Sequence, residues 1–540
     1  MVGHKPSYVE ALVEKDGKIA FAGSLAEARK KFSRAEDINL QGKTMMPGHI
    51  DPHLHPSMGA LILRMHFITP FRWVLPSGVY EGVRNQTDYR SRLSKLITEK
   101  PGTDEKFLIT WGYHGSFHGD MSREIIDQLN DVARSTPVVV WQRSFHEVYL
   151  NTYALDHLDY GDNLEELMNH SQVDWDLGHF YEMGLDALMS LSSFGDQVFP
   201  LMDAGYSDLV QVVHQSGITT VADLEFPLFE EKLEMGFVKT YLKSKDTHFS
   251  TYCVPSQRNN AKLTDGDSEK AIIHIRELAK SFSDDKVIVY DNHVKGLLDG
   301  AFYSLAMQMK DGYIDDHGHG EWITEPEELL KALRAYWMNG FQIHVHTNGD
   351  LGMEKLLWIV ETLNKEFPRP DHRTTVEHAG YFTEQQADMI SKLGMLVSAA
   401  PYYFYTLADQ YSVQGLGPER AHAIAPTKWL FDHGVTTAFH SDFTMAPSQP
   451  LLLAWTAINR QTADGNSHRE DLKVTAYQGM QAITKNAAII LGTDDIMGTI
   501  EVGKLANFTI LDEDPLEVDP LHIKDIKIHA AVYKGTWRTI

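Results

Sequence analysis

The stretch "YVEALVEKDGKIAFAG" (residues 8–23) alternates apolar and polar positions around Asp16-Gly17, which predicts an antiparallel hairpin. The far end of the chain answers it. "GTIEVGKLANFTILDEDP" and "IKIHAAVYKGTWRTI" are strand-like again, with Gly503-Lys504 and Lys534-Gly535 at the turns. Chain termini commonly lie close together, so the two end regions are expected to form one small β domain. Between them the rhythm changes to short apolar runs separated by helical patterns. Eight such runs, at 49–56, 217–224, 248–255, 286–296, 341–349, 373–380, 395–401 and 435–442, predict strands of an α/β domain. "EKAIIHIRELAKSF" and "PEELLKALRAYWMNG" are typical of the intervening helices. Eight βα units predict a closed (β/α)8 TIM barrel, and an open doubly wound sheet is the competing arrangement.

One stretch breaks the repeat. From about residue 60 to 203 the chain carries "HFITPFRWVLPSG" and "TPVVVWQRSFHEVYLN" and does not read as βα units. Structureless loops of that length are uncommon, so it is expected to fold as a subdomain over the barrel mouth. The predicted division is 1–48 plus 498–540 for the small β domain, 49–59 plus 204–497 for the barrel, and 60–203 for the insertion.

Composition narrows the class. The chain has 540 residues, and a net charge of −25 repels nucleic acid and anionic membranes. A single cysteine, Cys253, excludes an intrachain disulfide and a cysteine-based metal cage. No apolar run near 18 residues and no apolar signal-peptide core are present, which points to a cytoplasmic protein.

The chemistry gathers at the strand ends. His53 and His55, in "PGHIDPHLHPS", lie two residues apart and so share one face of a strand. They could be metal ligands or polar residues at a strand end. Lys295 ends the fourth predicted strand, His344 and His346 the fifth, His378 the sixth and Asp442 the eighth. Each has a structural reading taken alone: His346 a core histidine, His378 part of a polar strand end, Asp442 a helix cap, Lys295 a surface residue beside a turn. Their recurrence at one end of one kind of strand points to a metal site, since barrel strands converge there. Imidazoles with a carboxylate suit zinc or another first-row divalent ion.

The ordered set resembles the amidohydrolase superfamily, and within it the branch of N-substituted formamide deformylase, called YtcJ-like. "PGHIDPHLH" matches the HxH of the first strand, "HVKGLLDG" the VK-x-x-x-DG, "VHTNGD" the VHAxGD, "VEHAG" the EH and "HSDF" the final SD. "GTIEVGKLANFTILDEDP" resembles the closing strand pair, and "WGYH", "RSFHEVYLNTYAL" and "GHFYEMG" look like divergent branch motifs, so the likeness spans nearly the whole chain. It implies a TIM barrel with a small β-sandwich made from both chain ends. It implies one or two divalent ions, Zn2+ foremost, with His53, His55 and Asp442 on one, His346 and His378 on the other, and a carboxylated Lys295 bridging them. It also implies hydrolysis of a C–N bond in an amide, formamide or N-acyl compound by a metal-activated hydroxide, with Asp442 as general base. Deamination, ester or lactone hydrolysis, or decarboxylation would use the same site, and a non-catalytic binding or regulatory barrel is the alternative outside enzymes.

The chain departs from the family pattern in places. His49 and Pro52 flank the first motif, the usual R-D-G-H-A reads Arg143-Ser144-Phe145-His146-Glu147, and "GAFYSLAMQM" replaces a small polar run. The N-terminus starts late, without the family's usual first β-strand, as expected of a processed or trimmed chain. An aromatic-rich insertion and the segment 401–411 suggest a partly apolar substrate. The expected substrate contacts are Trp111, Tyr113, His114, His146, His344 and Tyr402. The expected partners are a small-molecule substrate and a second copy in a homodimer, with neither nucleic acid nor membrane.

Overall fold

A computed structural model describes residues 3, 5–315 and 318–540. The chain divides into two compact units. One comprises Met1–His55, Val210–Gly300 and Met307–Ile540; the other comprises Pro56–Leu209 and Ala301–Ala306.

Among the described residues the first unit holds nine parallel strands: β1 (His49–Leu54), β2 (Ile218–Phe226), β3 (Ser250–Pro255), β4 (Val287–Val289), β5 (His293–Leu297), β6 (Gln342–Thr347), β7 (Thr375–His378), β8 (Leu396–Ala399) and β9 (Thr437–Phe439). Every residue of β1, β2, β3 and β6 is buried, as expected of parallel strands covered on both faces. The fourth predicted strand is two strands. Tyr290 ends the first part by donating its N–H to Cys253 O at 3.0 Å, and the turn-forming Asp291-Asn292 pair separates it from β5.

This break matters for the architecture. The strands form two sheets, in the orders β4-β3-β2-β1 and β5-β6-β7-β8-β9, rather than one continuous closed ladder. Contacts at the strand ends link them. Asp442 N–H donates to His53 O at 2.9 Å and His55 N–H to Phe443 O at 3.1 Å, while Ser256 and Lys295 make an isolated parallel bridge. The α/β alternation stands, and the uninterrupted eight-stranded barrel is not what the hydrogen bonding forms.

Helices follow the predicted pattern because caps and apolar spacing agree. Asp267 accepts from the N–H groups of Glu269 and Lys270 and starts Ser268–Phe282, whose buried Ala271, Ile272, Ile275, Leu278, Ala279 and Phe282 recur at three- and four-residue steps. Pro326 opens Pro326–Met338 at the first turn, where its missing N–H costs nothing. Among the described residues no helix is long and apolar enough to cross a membrane.

The chain ends meet as antiparallel sheet. Phe508–Leu511 pairs with Thr44–Pro47 on one side and Ile528–Tyr533 on the other, and Thr536–Thr539 completes the four strands. The Ala11–Lys15/Lys18–Gly23 hairpin joins through Ile19 N–H to Lys504 O at 2.8 Å. Ile19, Ala506, Phe508, Ile510, Ala530 and Val532 form the shared core.

The second unit has its own six-stranded sheet, ordered Val173–Asp174, His179–Tyr181, Glu147–Leu150, Val138–Gln142, Leu108–Tyr113 and His66–Phe67. Tyr89, Leu93 and Ile97 of the helix Gln86–Glu99 pack with Leu108, Val138 and Val140 in its core. Ala301–Ala306, assigned to the barrel in the sequence reading, belongs to this unit. Gln142 donates to Ser304 Oγ at 3.2 Å and Arg143 to Tyr303 OH at 3.2 Å, which ties that short segment to the sheet.

Candidate metal centre

β1 delivers the first donors. Asp51, His53 and His55 follow one another at steps of two. Asp51 is buried and accepts from Ser441 N–H at 3.0 Å, from the Ser441 hydroxyl and from Ser448 Oγ at 2.8 Å, so it clamps the segment that carries Asp442. Asp442 itself sits at φ 48°, a left-handed conformation that aspartate tolerates better than most residues. His378 at φ 75° is a costlier exception, and backbone strain of this kind tends to collect at functional sites.

These elements bring His53, His55, His378 and Asp442 together. Asp442 Oδ1 lies 3.3 Å from His55 Nε2 and 3.6 Å from His53 Nε2, and its Oδ2 lies 3.6 Å from His378 Nδ1. Two triplets, His53–His55–Asp442 and His53–His378–His440, have ligand atoms within 4.8 Å of one another. Lys295 is buried, not a surface residue, with Nζ 3.5 Å from His53 Nε2. His346 packs against His378 with ring centroids 4.3 Å apart, and its Nε2 is 3.0 Å from Asn348 Nδ2; it stands outside both triplets.

The electrostatics suit a cation. Burial, then the charges of Lys295 and neighbouring histidines, hold His53 well below the ordinary histidine range, and burial with His346 and Lys295 does the same to His378. These imidazoles are neutral and available as ligands. Burial opposes the charge on His55 as well, but Asp223 and Asp442 outweigh it and raise His55 to about 9. Asp442 is lowered: burial pushes it up, and the hydrogen bond and charge of His55, with His440 and Lys295, pull it further down. Lys295 is lowered by burial, against the pull of Glu377, Glu225 and Asp442. The neutral imidazoles of His53 and His378, the ionised Asp442, and His55 once it gives up its proton are a donor set that fits zinc or another first-row divalent ion.

Three residues at the centre escaped the sequence reading. Glu377 is fully buried and accepts from His53 Nδ1 at 2.7 Å and His344 Nδ1 at 2.8 Å. Burial raises its pKa, with Lys295 and His440 opposing. Adjacent strand residues ordinarily face opposite ways, and the positive φ at His378 breaks that alternation, so Glu377 and His378 both reach the cluster. His440 lies 3.3 Å from His378 Nδ1 through Nε2. The step-of-two rule that singled out His53 and His55 applies equally to His440 and Asp442. Asp223 on β2 lies 3.9 Å from His55 Nδ1.

The expected substrate contacts fall in both units. His344 has both ring nitrogens engaged inside the protein, Nδ1 with Glu377 and Nε2 3.1 Å from His293 Nδ1. Tyr402 starts the helix Tyr402–Val413 and belongs to the hydrophobic core. Trp111, Tyr113, His114 and His146 all lie in the second unit. Trp111 packs with Phe67 and Trp73, Tyr113 donates to Gly119 O at 2.7 Å, and His146 pairs with Glu182 at 2.9 Å. His114 is buried with neither ring nitrogen hydrogen-bonded.

Comparison with known proteins places the chain. The family model described as "Amidohydrolase family" matches residues 36–538. An N-substituted formamide deformylase of Arthrobacter pascens is 23% identical over 566 residues, covering 99% of this chain and 96% of its own. A Bacillus subtilis (strain 168) protein named YtcJ is 27% identical over 542 residues, with 97% and 95% covered. A crystal structure titled as an uncharacterized metal-dependent hydrolase of Pyrococcus horikoshii OT3 superposes with a TM-score of 0.70 at 21% identity over 95% of each chain, a likeness of fold. With the family model spanning nearly its full length and a histidine–aspartate cluster fit for a metal, the chain belongs to the amidohydrolase family and is a metal-dependent hydrolase.

Proposed function

We propose that this hydrolase cleaves the C–N bond of a small, partly apolar amide, formamide or N-acyl compound at the His53–His55–His378–Asp442 cluster. The reading rests on one observation: two buried triplets that share His53, His53–His55–Asp442 and His53–His378–His440, each hold their ligand atoms within 4.8 Å of one another. A bound divalent ion, Zn2+ foremost, supplies Lewis-acid polarisation of a carbonyl and a lowered water pKa. His53, His55 and Asp442 would hold one such ion, and His346 and His378 a second, with Lys295 as a further ligand. An ammonium has three donors and no acceptor, so Lys295 serves as a ligand after its amine adds CO2, giving a carbamate with two anionic oxygens and releasing a proton. Asp442 takes a proton from the attacking water on a carboxylate oxygen and delivers it to the leaving nitrogen. The strand-end links between the two parallel sheets support reading them as a (β/α)8 barrel opened at two seams. The name of the Arthrobacter relative favours N-substituted formamides as the first compounds to try.

The test is a panel of N-substituted formamides, N-acyl amines, esters and amino-heterocycles, read by release of amine, carboxylate, ammonia or CO2. Amine release that disappears on chelation, returns with Zn2+ and is absent in Asp442→Asn is the expected outcome. A metal-loaded protein that releases only ammonia or CO2 from the panel, or nothing, overturns the assignment to amides, formamides and N-acyl compounds.

A further inference from the structure

His440 stands outside the ligand set that the sequence motifs suggest, yet its surroundings fix it as a metal ligand would be fixed. Its Nδ1 is 2.7 Å from Ser398 Oγ and 3.8 Å from Glu377 Oε2. A carboxylate only accepts and a hydroxyl oxygen can accept, so this side of the ring suits an N–H at Nδ1. That tautomer leaves the lone pair on Nε2 of His440.

The same carboxylate sets the His53 ring. His53 Nδ1 is 2.7 Å from Glu377 Oε2 and can only donate to it, which leaves the His53 Nε2 lone pair facing Lys295 and Asp442. The His440 Nε2 lone pair faces His378 Nδ1 at 3.3 Å. All three rings are buried, and their ligand atoms lie within 4.8 Å of one another. A metal-ligating histidine commonly gives its other N–H to a carboxylate or to a group tied to one, which orients the ring and raises its basicity. His53 has that arrangement with Glu377, and His440 has the Ser398 hydroxyl at its Nδ1.

We infer that His440 is a metal ligand of this chain, a nitrogen donor beside His53 and His378 whose ring is oriented by Ser398 Oγ at its Nδ1. The inference rests on the metal-dependent reading above and adds to it one nitrogen donor and the hydroxyl that orients it.

The experiment uses the full chain, stripped with a chelator and titrated with Co2+ as the probe. Affinity is read by competition with a chromophoric chelator, and ligand number by the visible d–d spectrum. Expected for His440→Asn is a loss of at least ~10-fold in Co2+ affinity with a changed spectrum. Ser398→Ala, which removes one oxygen and leaves the ring in place, is expected to weaken binding by about 10-fold. Co2+ affinity and spectrum unchanged in a folded His440→Asn overturn the inference. Should that variant fail to fold, an unchanged Ser398→Ala overturns it alone. A wild-type chain that takes up no Co2+ sinks the metal-dependent reading, whereas wild-type binding with indifferent variants sinks only the role of His440.

Discussion

Gly349 and Gly236 receive the same substitution with opposite expected signs. Gly349 precedes the helix Asp350–Glu366 and stands three residues after His346. Its backbone, φ −94° and ψ 164°, is open to any residue, so alanine meets no torsional obstacle. Space decides instead. A Cβ there would lie 2.0 Å from Gln308 O and 2.7 Å from Gln308 C, both backbone atoms that no rotamer change can move. Relief needs a shift of about 1 Å or more, and overpacking of that kind costs ~1–3 kcal/mol. The shift also pulls Gly349 N–H from Asp299 Oδ2, now at 2.9 Å, where a hydrogen bond to a buried carboxylate contributes ~1.5–3 kcal/mol. Against this stands an unfolded-state gain of ~0.4–1 kcal/mol. The net expectation is a loss of about 2–4 kcal/mol. Gly236 lies in the helix Glu231–Phe237, is exposed, and has nothing within 4 Å of an added Cβ. Alanine there should gain up to ~1 kcal/mol from helix propensity. Urea denaturation of both variants followed by tryptophan fluorescence separates them: the midpoint falls for Gly349→Ala and rises slightly for Gly236→Ala. A Gly349→Ala protein at least as stable as wild type would refute the packing argument. Because a displacement of about 1 Å near a reacting group can cost ~100-fold in rate, hydrolysis by the folded fraction should fall as well.

Other outcomes follow from the same geometry. Glu377→Gln replaces an acceptor-only hub by an amide that cannot accept from both His53 and His344 at once, and should weaken metal affinity by ~10–100-fold; equal affinity by chelator competition would contradict its orienting role. Asp442→Asn should lower kcat by ~100- to 10,000-fold, the usual range for a lost proton shuttle, while a wild-type rate excludes Asp442 as the base. Acid should destabilise the second unit through His118. It is buried, its Nε2–H donates to Val83 O at 2.7 Å, its Nδ1 accepts from His114 N–H at 3.1 Å, and burial lowers it to about 4 despite the bond to Val83. The unfolded chain therefore takes up the proton first, so this stability is present above pH 6.5 and is lost as pH falls toward 4. The loss is about 2 kcal/mol between pH 7 and pH 5. Urea midpoints of His118→Gln should fall less steeply over that interval, and parallel pH curves would show that His118 does not carry the effect.

The local pattern determined much of this protein. Alternation and turn residues gave the end strands, apolar runs bounded by helical segments gave the parallel strands, and the step of two gave His53 and His55 a common face. Those features depend on neighbours in the chain, where period and capping act directly. The ordered motifs were local as well, which is why the family was legible before any contact was known. What the sequence could not contain was the distance between residues tens to hundreds of positions apart. Glu377 lies 324 positions from His53 and accepts its proton at 2.7 Å, and Ser398 lies 42 from His440 at 2.7 Å. Neither pairing has a period to betray it. Tyr402 and His344 looked like pocket residues from composition, and burial placed one in the apolar core and the other inside a hydrogen-bonded row. The break after Val289 was equally hidden, because a continuous apolar run reads as one strand until the ladder shows which partner each half takes. Periodicity fixes the face a side chain occupies; only the closing of long loops fixes what it meets there.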